Sequence, residues 1–287
     1  MPRFAWVTDP HLNFVPFRRW EVWIREILAA QVEGVLISGD ISESEDVVFQ
    51  LQRLAEAVEM RVWFVLGNHD FYRSSIAQVR RDVQEASADH PQLHYLTGSA
   101  GVQIAEDWYL TGEYGCADWR IGYYYDSPVR LNYYHLIEEL TGVSAKRLLR
   151  VIRREAVAGA VRLCRQLDLG RQQAKNQIVL THLPPFREAC WYEGRFGDDD
   201  WAPFFTCSAI GWLLKRFCRR HPEQQVWVLC GHTHGGGKSR IAPNLTVWTG
   251  AAEYGEPRVT EVVQPSLFPA AAVDWSFDVA GNYGRAD

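Results

Sequence analysis

Three short apolar runs near the start of the chain each break off at polar residues, and this feature constrains the fold most. They are Phe4–Thr8 (FAWVT), stopping at Asp9-Pro10, Gly34–Ser38 (GVLIS), stopping at Gly39-Asp40, and Arg61–Leu66 (RVWFVL), stopping at Gly67-Asn68-His69-Asp70. Runs so short and so uniformly apolar read as strands buried on both faces. Between them, Phe17–Gln31 carries an apolar stripe at Trp20, Trp23, Ile24, Ile27 and Leu28, which is helical spacing. Ser44–Glu59 is helical as well, opened by Ser44 with acidic residues in its first turn. The order β-α-β-α-β favours a parallel sheet with helices packed on it.

The remainder is less regular. Ser74–Glu85 reads as a helix, and Leu93–Leu96, Val102–Ala105 and Trp108–Leu110 read as short strands of a second sheet region. An aromatic loop over Tyr123–Arg130 precedes two helical segments, Leu131–Leu140 and Ser144–Leu167. Ile178–Leu180 is a strand ending at Thr181-His182; Phe186–Phe205, rich in Trp, Gly and Asp, is a long loop of the kind that often carries function. Ala209–Arg220 is a helix, Val226–Leu229 a strand ending at Cys230-Gly231-His232, and Leu245–Trp248 and Val259–Val263 are closing strands. No repeat or linker composition divides the chain, so a single domain over residues 1–265 is expected, with 266–287 as a surface tail.

A hydrophobic content of 47% over 287 residues suits a folded domain with a full core. The net charge of −5 lacks the basic excess of a protein that grips nucleic acid by its backbone. The basic clusters at Lys146–Arg154 and Lys215–Arg220 alternate with apolar residues and read as solvated helix faces. Six cysteines lie scattered without a CxxC pair, as reduced, mostly buried small hydrophobes would. The N-terminus runs straight into a strand pattern, and no apolar stretch approaches the roughly 18 residues of a membrane span. A soluble, cytoplasmic protein is expected.

Five strand ends in succession finish in residues that bind metals: Asp9-Pro10-His11, Gly39-Asp40, Gly67-Asn68-His69-Asp70, Thr181-His182 and Gly231-His232-Thr233-His234. In an open α/β sheet ligands bind at the carboxyl ends of strands, where loops and helix starts converge. Any one of these histidines is unremarkable alone; five of the chain's nine, beside carboxylates and an Asn, are not. Imidazole, carboxylate and amide together suit manganese, iron or zinc better than a thiolate-seeking ion. Two ions about 3.5–4 Å apart need a shared carboxylate, and Asp40 is the natural bridge.

The ordered set DxH, GD, GNHD, H and GHxH resembles the calcineurin-like metallophosphoesterase superfamily, and it spans residues 9–234 without a gap. The resemblance implies a four-layer αββα sandwich of two mixed β-sheets flanked by helices, with a dinuclear metal site at the carboxyl edge of the strands. It further implies Asp9, His11 and His234 on one divalent ion, Asn68, His182 and His232 on the other, and Asp40 between them. The activity implied is hydrolysis of a phosphodiester or phosphomonoester by in-line attack of a metal-bridging hydroxide. His69 is then the candidate general acid, with Asp70 either orienting it or serving a plain structural role.

Arg187, Trp191 and Arg195, in the long segment after His182, are candidates to clamp phosphate or stack a base, against a reading as lid packing. Tyr72 and Arg73 follow the GNHD block and could face substrate, although surface positions are commoner there. Tyr114 and Tyr123–Tyr125 either rim the pocket or pack in the core, and Gly235–Gly237 is a tight turn beside the site. Ile41-Ser42-Glu43 after the GD block departs from purple acid phosphatases, which place a tyrosine ligand there. GNHD and the terminal GHTH depart from Ser/Thr protein phosphatases, so the pattern is nearer to bacterial phosphodiesterases of the cyclic-nucleotide type. A small-molecule phosphate ester is the expected substrate; a nuclease acting on DNA or RNA and a non-catalytic scaffold of the same fold are the alternatives.

Overall fold

A computed structural model describes residues 2–129 and 131–264. The chain opens with β1 (Phe4–Val7), α1 (Phe17–Ala29), β2 (Gly34–Ser38), α2 (Val47–Val58), β3 (Arg61–Val65), α3 (Ile76–Asp89) and β4 (Leu93–Tyr95). It continues through β5 (Val102–Ala105), β6 (Trp108–Glu113), α4 (Tyr133–Leu136), α5 (Ala145–Gly170) and β7 (Asn176–Thr181). The last part holds β8 (Trp191–Tyr192), β9 (Arg195–Phe196), α6 (Ala202–Phe205), α7 (Ser208–Arg220), β10 (Gln225–Cys230), β11 (Gly237–Ala242), β12 (Leu245–Thr249) and β13 (Glu261–Val263).

Two sheets carry the architecture. The first runs β13-β1-β2-β3-β4 and the second β11-β12-β10-β7-β6-β5. β1 through β4 are mutually parallel, with β13 antiparallel at the edge. β12, β10, β7 and β6 are parallel, and β11 and β5 close the edges antiparallel. Alternate residues of the central strands serve different cores, because successive side chains point to opposite faces. Phe4, Trp6, Leu36, Trp63, Val65, Ile178, Leu180, Trp227 and Leu229 meet in a core between the sheets. Ala5, Val7, Val35, Ile37, Val62, Phe64, Val179, Val226 and Val228 join the larger core, which also holds buried apolar residues of α1, α2, α3, α5 and α7. The predicted sandwich of two mixed sheets flanked by helices is therefore the fold.

Several elements differ from expectation. The helix predicted over Leu131–Leu140 is helical only at Tyr133–Leu136. Its backbone turns to the chain after β3: the Arg73 N–H donates to the Leu136 carbonyl and the Glu138 N–H to the Ser74 carbonyl. Glu139 then accepts from the Ile76 and Ala77 N–H groups at the start of α3. Segment 186–205 is not an irregular loop, since it contains the β8–β9 hairpin and α6. Gly237 begins β11 instead of ending a turn, and Ser44 gives its hydroxyl hydrogen to the Tyr72 carbonyl, with α2 starting after Asp46. The predicted tail over 266–287 lies outside the described residues. The six cysteines are free and all but Cys164 are buried, and no helix among the described residues is long and apolar enough to cross a membrane.

One buried side chain links the two sheets near their β4 and β5 ends. Gln166 of α5 accepts from the Gly112 N–H of β6 at 2.9 Å and donates to the Leu96 carbonyl beyond β4 at 2.9 Å. Gln166→Leu would leave the Gly112 N–H buried without a partner and the Leu96 carbonyl with only the Ser99 N–H, which costs about 1–3 kcal/mol. Urea unfolding should show that loss with an unchanged m-value; a loss under about 0.5 kcal/mol would mean that the linkage is not needed.

Candidate metal centre

Every sequence-predicted ligand lies on a loop leaving a parallel strand at its carboxyl end: Asp9 and His11 after β1, Asp40 after β2, Asn68 after β3, His182 after β7, His232 and His234 after β10. The two sheets face each other, so these loops meet at one rim. Among the described residues, three donor groups lie close enough to hold an ion: Asp9 with His11 and His234, His11 with Asp40 and His69, and Asp40 with His182 and His232. Asp40 and His11 each belong to two of them.

The His182 Nδ1–H donates to the Ser38 carbonyl at 3.0 Å, which leaves Nε2 facing two acceptors, Asn68 Oδ1 at 3.1 Å and Asp40 Oδ2 at 3.3 Å. Two oxygens cannot converge on a bare nitrogen lone pair; a proton or a cation has to sit there. At the other end, His11 Nε2 and His234 Nε2 stand 3.1 Å apart, and His234 Nε2 lies 3.6 Å from Asp9 Oδ1. Donor spacings near 3 Å are the edges of a coordination polyhedron with bonds of about 2.1 Å. The residues present fit a pair of divalent ions.

The surroundings hold these groups in place. Asp9 accepts from the Thr8 hydroxyl at 2.5 Å and from the His232 N–H at 3.0 Å, and Asp40 Oδ1 accepts from the His69 N–H at 2.8 Å. His232 Nε2–H points to the Phe204 carbonyl at 3.4 Å, which turns Nδ1 toward the cluster. Asp9, His11, Asp40, His232 and His234 all have φ between 42° and 70°, a left-handed conformation that is costly for residues with side chains and persists only where the surroundings impose it. Two motif glycines are needed for close approach: a Cβ on Gly67 would overlap Asp40 Oδ1, and one on Gly231 would overlap Asp9 Oδ2.

Burial drives the His11 imidazole down to about 3 against the pull of Asp40, and burial, with His182 beside it, drives His232 well below its usual range. Both are neutral and have lone pairs to give. For His182, burial acts downward but Asp40 more than offsets it, raising it to about 9. Burial also pushes the Asp40 carboxyl up, yet His182 and then His69 bring it well below the carboxylate range.

The remaining predicted residues divide. His69 lies at the mouth, its Nε2 4.0 Å from Asp40 Oδ2 and 3.4 Å from the Tyr254 hydroxyl. Asp70 does not orient it: both Asp70 oxygens accept backbone N–H groups, from Ser42 at 2.8 Å and Gly67 at 2.7 Å, while His69 Nδ1 has no partner among the described residues. Asp70 ties the loop after β2 to the loop after β3, and burial, with Asp40 nearby, lifts its carboxyl to about 8. Tyr72 is buried and its hydroxyl accepts from Asn68 Nδ2 at 3.2 Å, so it positions Asn68. Arg73 pairs with Glu43, and Arg187 with Asp199. Trp191 packs its ring over Gly237 and donates to Ser239 at 2.9 Å, while Arg195 is exposed on β9. Tyr114 is core, Tyr124 stacks on Trp119 at 3.8 Å, and Tyr123 and Tyr125 are exposed. Tyr254 was not foreseen. It sits on the loop after β12, and because β12 is parallel to β10 that loop reaches the same rim.

Residues 2–236 match the family model of calcineurin-like phosphoesterases. The chain belongs to the calcineurin-like phosphoesterase family. Its fold is similar to that of the phosphopantetheinyl hydrolase from Mycobacterium tuberculosis (TM-score 0.66, 13% identity, covering 94% of this chain and 99% of the other). A dimetal phosphatase from Danio rerio is also similar (TM-score 0.55, 15% identity, 87% of each chain). No curated protein sequence matches the chain.

His182, protonated at neutral pH in this phosphoesterase without a cation, has to give up that proton when an ion takes its Nε2 lone pair. Divalent ion binding should therefore release protons at pH 7 and tighten about tenfold per pH unit up to about 9. Calorimetry in buffers of different ionisation enthalpy measures the release; uptake independent of pH would contradict it.

Proposed function

We propose that the chain is a metal-dependent hydrolase of a small-molecule phosphate ester, a phosphodiester or a phosphomonoester. Asp9, His11 and His234 would hold one divalent ion, Asn68, His182 and His232 the other, and Asp40 would bridge them; manganese, iron and zinc suit this donor set. The observation that carries the reading is the double convergence of acceptors on His182 Nε2 and of two imidazole nitrogens at His11 and His234, on either side of one buried carboxylate. Bound ions supply Lewis acidity, polarising phosphoryl oxygens and acidifying a water.

The chain's own residues do the rest. The amide N–H groups of His69 and His232 fix the two aspartates, the Ser38 and Phe204 carbonyls fix the ring orientations of His182 and His232, and Tyr72 holds Asn68. His69, partly exposed at the mouth with Nε2 toward the cluster, would give a proton to the departing oxygen. Burial lowers its basicity, an effect that Asp40 partly offsets. The net charge of −5 favours a small substrate over a nucleic acid.

The test is a panel on manganese-reconstituted protein: bis- and mono-nitrophenyl phosphate, cyclic nucleotides and a phosphopantetheinyl ester, the last because a protein of the same fold is a phosphopantetheinyl hydrolase. Asp40→Ala should lose metal and activity together. His69→Ala should keep its metal yet slow esters with poor leaving groups by about 10²–10⁴-fold, with little effect on nitrophenolate departure. Equal loss on both substrate types would remove the acid role, and a fully loaded protein inert to every ester would remove the function.

A further inference from the structure

Two half-exposed aromatic side chains stand beside the cluster, on the His69 side. Phe14 is 49% exposed and Tyr254 50% exposed. The Tyr254 ring lies over His11 at 4.3 Å with an interplanar angle of 30°, and 5.0 Å from His234. Its hydroxyl reaches His69 Nε2 at 3.4 Å. Phe14 meets Tyr254 edge-on at 5.3 Å and also contacts His11 at 6.4 Å. Neither ring is needed to fill the core, and both come from loops at the carboxyl rim, one after β1 and the other after β12.

We propose that Phe14 and Tyr254 form the leaving-group subsite, an aromatic platform for a planar ring esterified to the phosphate. The inference rests on the phosphoesterase reading, and in particular on the side of the cluster where His69 lies. A proton given by His69 Nε2 goes to the ester oxygen that departs, so the departing group has to lie within reach of that nitrogen. Tyr254 is the side chain whose hydroxyl already touches it. Edge-on packing of Phe14 against Tyr254 leaves the two rings at right angles, at 86°. A flat ring stacked on one then meets the edge or face of the other, the arrangements that aromatic pairs favour. The Tyr254 hydroxyl, at the border between ring and cluster, is positioned to hydrogen-bond the ester oxygen beside His69.

Charge points the same way. The groups acting most strongly on Asp9, Asp40, His11 and His69 are one another, His182, His234 and Thr8. Three arginines nearby pair with carboxylates: Arg19 of α1 with Glu256, Arg73 with Glu43 and Arg187 with Asp199. This rim recognises its substrate by a flat apolar surface with one hydroxyl. A nucleobase or another heteroaromatic ring fits that description, and a short alkyl group does not.

Phenylphosphonate and methylphosphonate, which are not hydrolysed, separate this claim from catalysis. Calorimetric titration into manganese-loaded wild type should give about tenfold tighter binding of the phenyl compound, the size of effect that one stacked ring supplies. Phe14→Ala and Tyr254→Ala should each reduce that ratio to about threefold or less with manganese content unchanged. Tyr254→Phe should keep the ratio but lower kcat on alkyl esters more than on nitrophenyl esters. Equal binding of the two phosphonates by wild type, or a ratio that survives both alanine substitutions, would overturn the platform. Loss of metal from the exposed Phe14→Ala variant would overturn it too, by making Phe14 a structural support. A wild type that prefers the phenyl compound but cleaves nothing would keep the platform and sink the phosphoesterase reading instead.

Discussion

Asp40 is a carboxylate removed from water at the seam of two sheets, with imidazole nitrogens of His182, His11 and His69 at 3.3, 4.0 and 4.0 Å. An ionised group so placed is tolerated only if positive charge and directed hydrogen bonds replace its hydration. The neighbourhood is arranged around that requirement. The His69 N–H supplies one hydrogen bond, Gly67 stands back to leave room for one oxygen, and His182 reaches across from the opposite sheet to the other. The left-handed backbone at five of the proposed ligands is a further cost accepted on the same account.

That cost also explains which parts of the site were legible in the sequence. Ligand residue types at the ends of buried apolar runs can be read because the strand fixes where the run stops, and the glycines beside Asp40, Asn68 and His232 follow from steric need. Asp70 could not be read in the same way. Its neighbour His69 is adjacent in sequence, but its partners are the amides of Ser42 and Gly67, and backbone groups leave no mark in a residue pattern. Tyr72 misled similarly: its position suggested an open rim, whereas burial turned it inward onto Asn68. Tyr254 and Phe14 belong to no spacing motif, and only the parallel pairing of β12 with β10 brings Tyr254 to the rim.

At the level of the fold, the unbroken apolar runs of β1, β2, β3, β7 and β10 mark buried strands, and the structure divides their side chains between two cores, one between the sheets and one beneath the helices. The segment after Arg130 was harder. Its apolar spacing suits a helix, but the chain pairs with Ser74 and caps α3 with Glu139, contacts made with residues some sixty positions earlier. Local propensity yields to such tertiary partners wherever the local element is short.

The proposed ligands are divided between the halves of the sandwich: Asp9, His11, Asp40 and Asn68 follow strands of one sheet, His182, His232 and His234 strands of the other. Ions held there would act as a clasp across the seam, so that retaining them and keeping the halves docked become one equilibrium. Any agent that loosens the packing also weakens the grip on the cations, and a shortage of cations in the surroundings is felt as a loss of mechanical cohesion. In such a molecule catalytic competence and structural integrity would fail together.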